Sequence, residues 1–433
     1  MSIDRHVVFA GAYGTENTGD DAPLLVMAEG LRRRHPDVRF RFTVLARRAD
    51  PLIESAAAAS FIPNPEYDSR EAAAGKWFRG FNFGDDRADL ARIDETIRDA
   101  DLVVAGAGNV LIDLAFDLFR GPIPLLASYA FMADLHRTPL MLYGITAGPI
   151  KNPHARTLSA WIARSSAVAT CRDEASAELL REIDQGLEIE VHPDPVLALV
   201  PASDTRFDAA LAREGLTRES SRPRLAVAWR DLDFLGFDRC ILIDALRALS
   251  EEYALLFIPQ TTGPDGDDRE LAQEIVASLG DAEVRAVTHR HSPEVLMRFY
   301  ELAEVTLAAR LHGAVFSTCS GTPVAALAYL PKVSSFMETV GLSASCVDIE
   351  DATAASLVAA VGRARQVDGA RLASRTQRVG EAVSAYLEHA STLLRLDDRA
   401  SPRPHHADRK NELRVGDSSG LFGTRWRSRS SPS

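Results

Sequence analysis

At 433 residues the chain exceeds what one ordinary core supports, so two domains are expected. A formal net charge of -12 excludes a nucleic-acid footprint, which needs a basic face, and any anionic substrate must therefore meet a local cluster of cations. The four cysteines, Cys171, Cys240, Cys319 and Cys346, show neither a CxxC pair nor a zinc spacing and read as reduced thiols of a cytoplasmic protein.

The first half alternates β-rich and helical patterns: "HVVFAGAY", "APLLVMAEGLRRRH", "VRFRFTVLA", then "DLVVAGAGN", "PLMLYGITAGP" and "AVATCRD". That alternation predicts a doubly wound, mostly parallel sheet over residues 1–200. Three of its strands run into glycine-rich turns. "GAYGTENTGDDA" brings Asn17, Gly19 and Asp20, "GAGNVLID" (106–113) brings Asn109, and "GITAGPI" spans 144–150. The first is neither a Rossmann fingerprint nor a P-loop, and one such turn needs glycine for geometry alone; three at successive strand ends describe the rim of a cleft. The loop at 65–86 carries Trp77, Phe78, Phe81 and Phe83, which either touch a sugar or pack.

Residues 201–224, rich in Pro, Ser and charge, read as a linker region. The pattern then restarts with "LAVAWRD", "YALLFIPQ", "AEVRAVT", "EVTLAAR" and "PVAALAY", predicting a second α/β domain over 225–399 that closes in a terminal helix. Two Rossmann-like domains facing a cleft would make a GT-B-like architecture, with ligands beyond the carboxyl ends of the strands. Residues 400–433 hold seven Lys or Arg against three Asp or Glu and few apolar groups, and read as a disordered, solvated tail. No apolar run reaches the ~18 residues of a membrane span, and the N-terminal run is shorter than a signal-peptide core. A soluble protein is expected, with room for peripheral contact at the inner face of a membrane.

Chemistry concentrates in "RLHGAVFSTCSGTPVAALAYLPKVSSF" (310–336). If the strand "VTLAA" stays extended through its end, Arg310 and His312 project from one face at the cleft. A helix of small residues after Gly313 then offers free N–H groups, and Lys332 adds a cation after the next strand, making a phosphate or carboxylate site. The alternative pairs Arg310 with a buried carboxylate, leaves His312 as a hydrogen-bonded core residue and puts Lys332 in solvent. His289 and His291 have H-x-H spacing without a third ligand, so no metal site is expected there. "HPDP" (192–195) reads as a turn with Asp194 within reach of the cleft, and the absence of a G-x-S-x-G elbow argues against a serine hydrolase.

These pieces, with "TCRDEASAELL" (170–180), "HPDPVLAL" (192–199) and above all the block at 310–342, resemble the polysaccharide pyruvyl transferase family in nearly the whole globular part and in the family's order. The second turn reads Gly-Ala-Gly where the family often has three glycines, and the third has Ala147 between Thr146 and Gly148. The resemblance implies a GT-B-like enzyme of exopolysaccharide and cell-envelope biosynthesis. It would attach the pyruvyl group of phosphoenolpyruvate to a hydroxyl pair of a sugar or lipid-linked glycan as a ketal, releasing phosphate. It would need no metal or other cofactor. Under it, His312 and Arg172 are the catalytic candidates, and Arg310, Lys332, Arg230, Asn17, Gly19, Asp20 and Asn109 bind substrate, with phosphoenolpyruvate on the C-terminal domain and the acceptor on the N-terminal one. A free histidine near its ordinary pKa of about 6.5 suits the proton transfer. The competing readings are a GT-B glycosyltransferase, another nucleotide-sugar enzyme such as an epimerase, and a non-catalytic scaffold or binding protein of the same fold.

Overall fold

Val7, Val8, Phe9 and Ala10 are fully buried, as are Val103, Val104 and Ala105, so these runs are covered on both faces, as interior strands of a parallel sheet must be. The computed structural model describes residues 3–64, 87–106, 108–113, 121–263, 266–280 and 283–396. The aromatic loop at 65–86 and the basic tail at 400–433 lie outside them.

The first sheet comprises β1 (Ile3–Ala10), β2 (Val38–Ala46), β3 (Ser60–Pro63), β4 (Leu102–Gly106), β5 (Leu140–Ile145), β6 (Val168–Cys171) and β7 (Glu190–Val191). All its pairings are parallel, in the order β3-β2-β1-β4-β5-β6-β7. The second comprises β8 (Arg224–Ala228), β9 (Ala254–Phe257), β12 (Val284–Ala286), β13 (Val305–Ala308), β14 (Val324–Ala328) and β15 (Cys346–Asp348), again parallel, in the order β12-β9-β8-β13-β14-β15. A short antiparallel hairpin, β10 (Thr262–Gly263) and β11 (Gly266–Asp267), follows β9. Each sheet reverses its winding once, between β1 and β4 in the first and between β8 and β13 in the second. This is the doubly wound α/β architecture expected, built twice.

The helix Thr18–Arg34 is buried on nearly every face, because it lies between the two sheets rather than over one. One apolar cluster runs from Phe9 and Phe42 through Leu24 and Leu25 to Tyr300, Phe316 and Val324, so the two halves share a core inside one compact unit ending at Leu396. Polar ties reinforce it. Thr18 N–H donates to the Gln260 carbonyl at 2.9 Å, and Thr262 N–H donates to the Glu16 carbonyl at 3.1 Å.

Two expectations change. The supposed linker at 201–224 holds a helix, Asp204–Glu214, whose Phe207 is fully buried edge-on to Phe299 at 5.3 Å. Helical spacing of Phe207, Ala210 and Leu211 outweighs the polar composition. The terminal helix, Ser384–Leu393, packs on the first sheet rather than only on the second domain: Tyr386 meets Tyr143 at 5.0 Å, and Arg5 Nε donates to the Leu394 carbonyl at 3.0 Å. Among the described residues no helix is long and apolar enough to cross a membrane.

Candidate active site

Every nominated side chain follows the carboxyl end of a strand. Asn17, Gly19 and Asp20 come after β1, Asn109 after β4 and Arg172 after β6; Arg230 comes after β8, Arg310 and His312 after β13, and Lys332 after β14. The loops diverge where the winding reverses, which opens a crevice at that edge of each sheet.

The extended Arg-x-His arrangement does not form. Strand β13 ends at Ala308 and a helix begins at Leu311, with Arg310 as its N-cap residue, so the two side chains separate. Arg310 turns into its own domain and its Nη2 donates to Asp268, a buried carboxylate that also accepts from the Gln260 and Thr261 N–H groups at 3.1 Å. His312, one residue into the first turn, reaches the other sheet: its Nε2 lies 3.4 Å from Arg172 Nη1 and 3.8 Å from Asp194 Oδ2. A guanidinium can only donate, so Nε2 is the acceptor and the ring proton sits on Nδ1. Burial, with Arg172, Lys332 and Arg310 adding and Asp194 opposing, holds the His312 imidazole at about 3 rather than near its ordinary value. It is neutral at physiological pH, not half-titrated.

Arg172 is fixed from two sides, with Nε donating to Thr146 Oγ1 at 2.7 Å and Nη1 to Asp194 Oδ2 at 2.9 Å. Burial pushes the Asp194 carboxyl up, but Arg172 and His312 leave it below the usual carboxylate range. The "HPDP" turn thus places Asp194 in the site, capping the short helical turn Pro195–Ala198 through Val196 N–H at 3.0 Å.

Lys332, in the first turn of the helix Pro331–Thr339, makes no hydrogen bond or ion pair among the described residues. Burial lowers its ammonium, with Arg172 and Arg230 adding and Tyr329 and Asp20 opposing. Arg230 Nη1 donates to the Tyr329 hydroxyl at 3.3 Å, and the guanidinium lies over the rings of Phe234 and Tyr329. Burial raises the Tyr329 phenol, yet Lys332, Arg230 and Arg310 more than offset this and leave it below its usual value. Arg230 Nε, Arg310 Nε and Asn109 Oδ1 are buried and without a hydrogen-bond partner among the described residues.

From the first sheet, Asn17 caps the helix Thr18–Arg34 by accepting from Gly19 N–H at 3.1 Å, and its Nδ2 donates to Asp20 Oδ2 at 2.8 Å. Burial raises the Asp20 carboxyl despite Lys332, Arg172 and Arg310. Gly108, at φ +79°, leaves room for it, since a Cβ there would stand 2.8 Å from Asp20 Oδ1. The arrangement joins cations and two helix N-termini, which suit a small polyanion, to a neutral imidazole and a carboxyl of raised pKa, which suit proton transfer.

His289 and His291 lie elsewhere. His291 Nε2 and His289 Nδ1 stand 2.7 and 3.1 Å from Oε1 of the buried Glu214, closing the end of the helix Asp204–Glu214. Sequence reasoning missed Asp268 and Tyr329. Asp268 sits in a charged glycine-rich turn that reads as surface, and Tyr329 ends an apolar strand that reads as core.

Two parallel α/β domains with ligand-facing loops at paired switch points define a GT-B-like fold. A Listeria monocytogenes structure described as a UDP-N-acetylglucosamine 2-epimerase is similar at a TM-score of 0.58 and 12% identity, over 94% of this chain and 100% of that one. A UDP-GlcNAc 2-epimerase from Neisseria meningitidis matches at 0.52 and 13%, over 90% and 100%. A glycosyltransferase from Rickettsia africae matches at 0.55 and 11%, over 92% and 97%. At these identities they share the fold alone. The polysaccharide pyruvyl transferase family model matches residues 17–331, and the chain belongs to that family. It is therefore an enzyme, a transferase.

Proposed function

We propose that the protein transfers the pyruvyl group of phosphoenolpyruvate to two hydroxyls of a glycan or lipid-linked glycan precursor as a cyclic ketal, releasing phosphate. The observation that carries this reading is the placement of a neutral His312 beside Arg172 and within the field of Lys332 and Arg310 at the carboxyl edge of both sheets. The acceptor lies on the side of Asn17 and Asp20.

In this reading Lys332, Arg230 and Arg310 meet the phosphate and carboxylate of phosphoenolpyruvate, and Arg172 sits between Asp194 and His312 to orient the ring. Burial is the main cause of the His312 depression and the cations add to it; the negative charges of the substrate oppose both, so the imidazole takes up a proton in the substrate complex more readily than in the free protein. His312 delivers that proton to the methylene carbon, the enol π pair forms the new C–H bond, and the adjacent carbon becomes electrophilic. A sugar hydroxyl attacks there while Asp20 takes its proton. The C–O bond to phosphate then breaks, the second hydroxyl closes the ketal, and its proton leaves with the phosphate. Asp20 then releases the first hydroxyl's proton to solvent, matching the proton His312 took up as substrate bound, so the imidazole and carboxyl return to their starting states. No metal or other cofactor enters the scheme.

Phosphoenolpyruvate alone raises the melting midpoint of the protein by mass action. With a panel of free and lipid-linked glycans it yields phosphate and pyruvylated product in equal amounts. Stabilisation by a nucleotide sugar, with none from saturating phosphoenolpyruvate, would transfer the site to glycosyl chemistry.

A further inference from the structure

Outside the cleft, Glu190, His192 and His389 bring three ligand atoms within 4.8 Å of one another. We propose that they form a Zn²⁺ site that fastens the terminal helix to the edge of the first sheet. Glu190 belongs to β7, His192 follows it directly, and His389 comes from the helix Ser384–Leu393, almost two hundred residues away. Glu190 Oε2 stands 3.0 Å from His192 Nε2 and 2.9 Å from His389 Nε2. Ligand atoms that share a zinc ion at about 2.0–2.2 Å in a tetrahedral shell are themselves roughly 3.3–3.5 Å apart. Small side-chain rotations therefore convert two imidazoles converging on one carboxylate oxygen into a coordination shell.

The set is two imidazole nitrogens and one carboxylate, a combination that suits Zn²⁺ and is too nitrogen-rich for Ca²⁺ or Mg²⁺. Its bearers are ordered. The His192 ring packs edge-on to Tyr386 at 5.3 Å, and the Tyr386 hydroxyl donates to the carbonyls of His192 and Pro193 at 3.2 and 3.0 Å. The imidazoles are half-buried and the carboxylate faces solvent, which leaves water access to a fourth position. None of the three touches Arg172 or His312. Their role is structural, anchoring the strand end that continues into Asp194.

Zn²⁺ titrated into the full-length protein against a chromophoric chelator should bind with one-to-one stoichiometry and raise the melting midpoint. His389→Gln and Glu190→Gln should each weaken binding by about 10-fold or more and abolish that shift, leaving the metal-free melting midpoint and turnover close to wild type. His289→Gln serves as the control and should bind normally. Absence of saturable binding, undiminished binding by His389→Gln and Glu190→Gln, or loss of binding in His289→Gln would each overturn the assignment.

Discussion

A methyl group at position 19 would sit 2.0 Å from His312 Nδ1, inside any tolerable contact, so the ring owes its place to the missing side chain of a residue on the opposite domain. Gly19→Ala should therefore fold but turn over at least about 10-fold more slowly, because the ring must shift from its near-attack position. Steady-state kinetics beside a melting curve check this. The same burial sets a pH signature. Between its ordinary 6.5 and about 3, His312 binds fewer protons folded than unfolded, so this contribution to stability is complete above pH 6.5 and is lost as pH falls through that window. Replacing His312 with Asn should flatten the acid limb of a stability-versus-pH curve. At this scale the sequence singled out Arg310, His312, Lys332, Asn17 and Asp20 as candidates, since chemically capable residues after apolar strands stand out, and the structure gives Arg310 the buried-carboxylate partner that the alternative reading allowed it. It could not disclose Asp268, which meets Arg310 across 42 residues of chain, because that partnership exists only once the sheet has formed.

Where an element starts decides where its side chains go. The strand-to-helix change at Leu311, three residues earlier than a helix after Gly313, sends Arg310 to Asp268 and His312 across the cleft, and only folded backbone geometry separates those outcomes. A second cross-element tie has the same origin. Arg290, following β12, reaches Asp21 on the helix Thr18–Arg34 at 3.0 Å and also pairs with Asp50, which caps the helix Pro51–Ala57. Both carboxyl groups are buried, so removing the cation leaves two buried polar groups without their shared partner. Arg290→Met should cost about 3–5 kcal/mol by denaturant unfolding. An unchanged midpoint would show the tie to be dispensable. The alternating β and α patterns made both sheets legible, because periodicity and turn chemistry are local; the helix at 204–214 was obscured by its charges.

For the whole molecule, a shared core and the returning terminal helix hold the two halves around the crevice. Tyr386 is fully buried against Tyr143 and hydrogen-bonds the "HPDP" carbonyls, and a Cβ at Gly30 would press on Leu387 at 2.7 Å. Tyr386→Ala should cost about 3–5 kcal/mol, readable as a lowered urea midpoint, although the residue lies far along the chain from the first sheet. Nothing local in the sequence announces that crossing, since a helical pattern does not name the surface it will cover. The central claim is that this assembly holds phosphoenolpyruvate with its cations and moves a proton with His312. It is tested most directly by measuring phosphoenolpyruvate affinity, turnover and melting on folded His312→Asn. The account predicts affinity close to wild type and turnover lower by about 100-fold or more; normal turnover in the folded variant would contradict it.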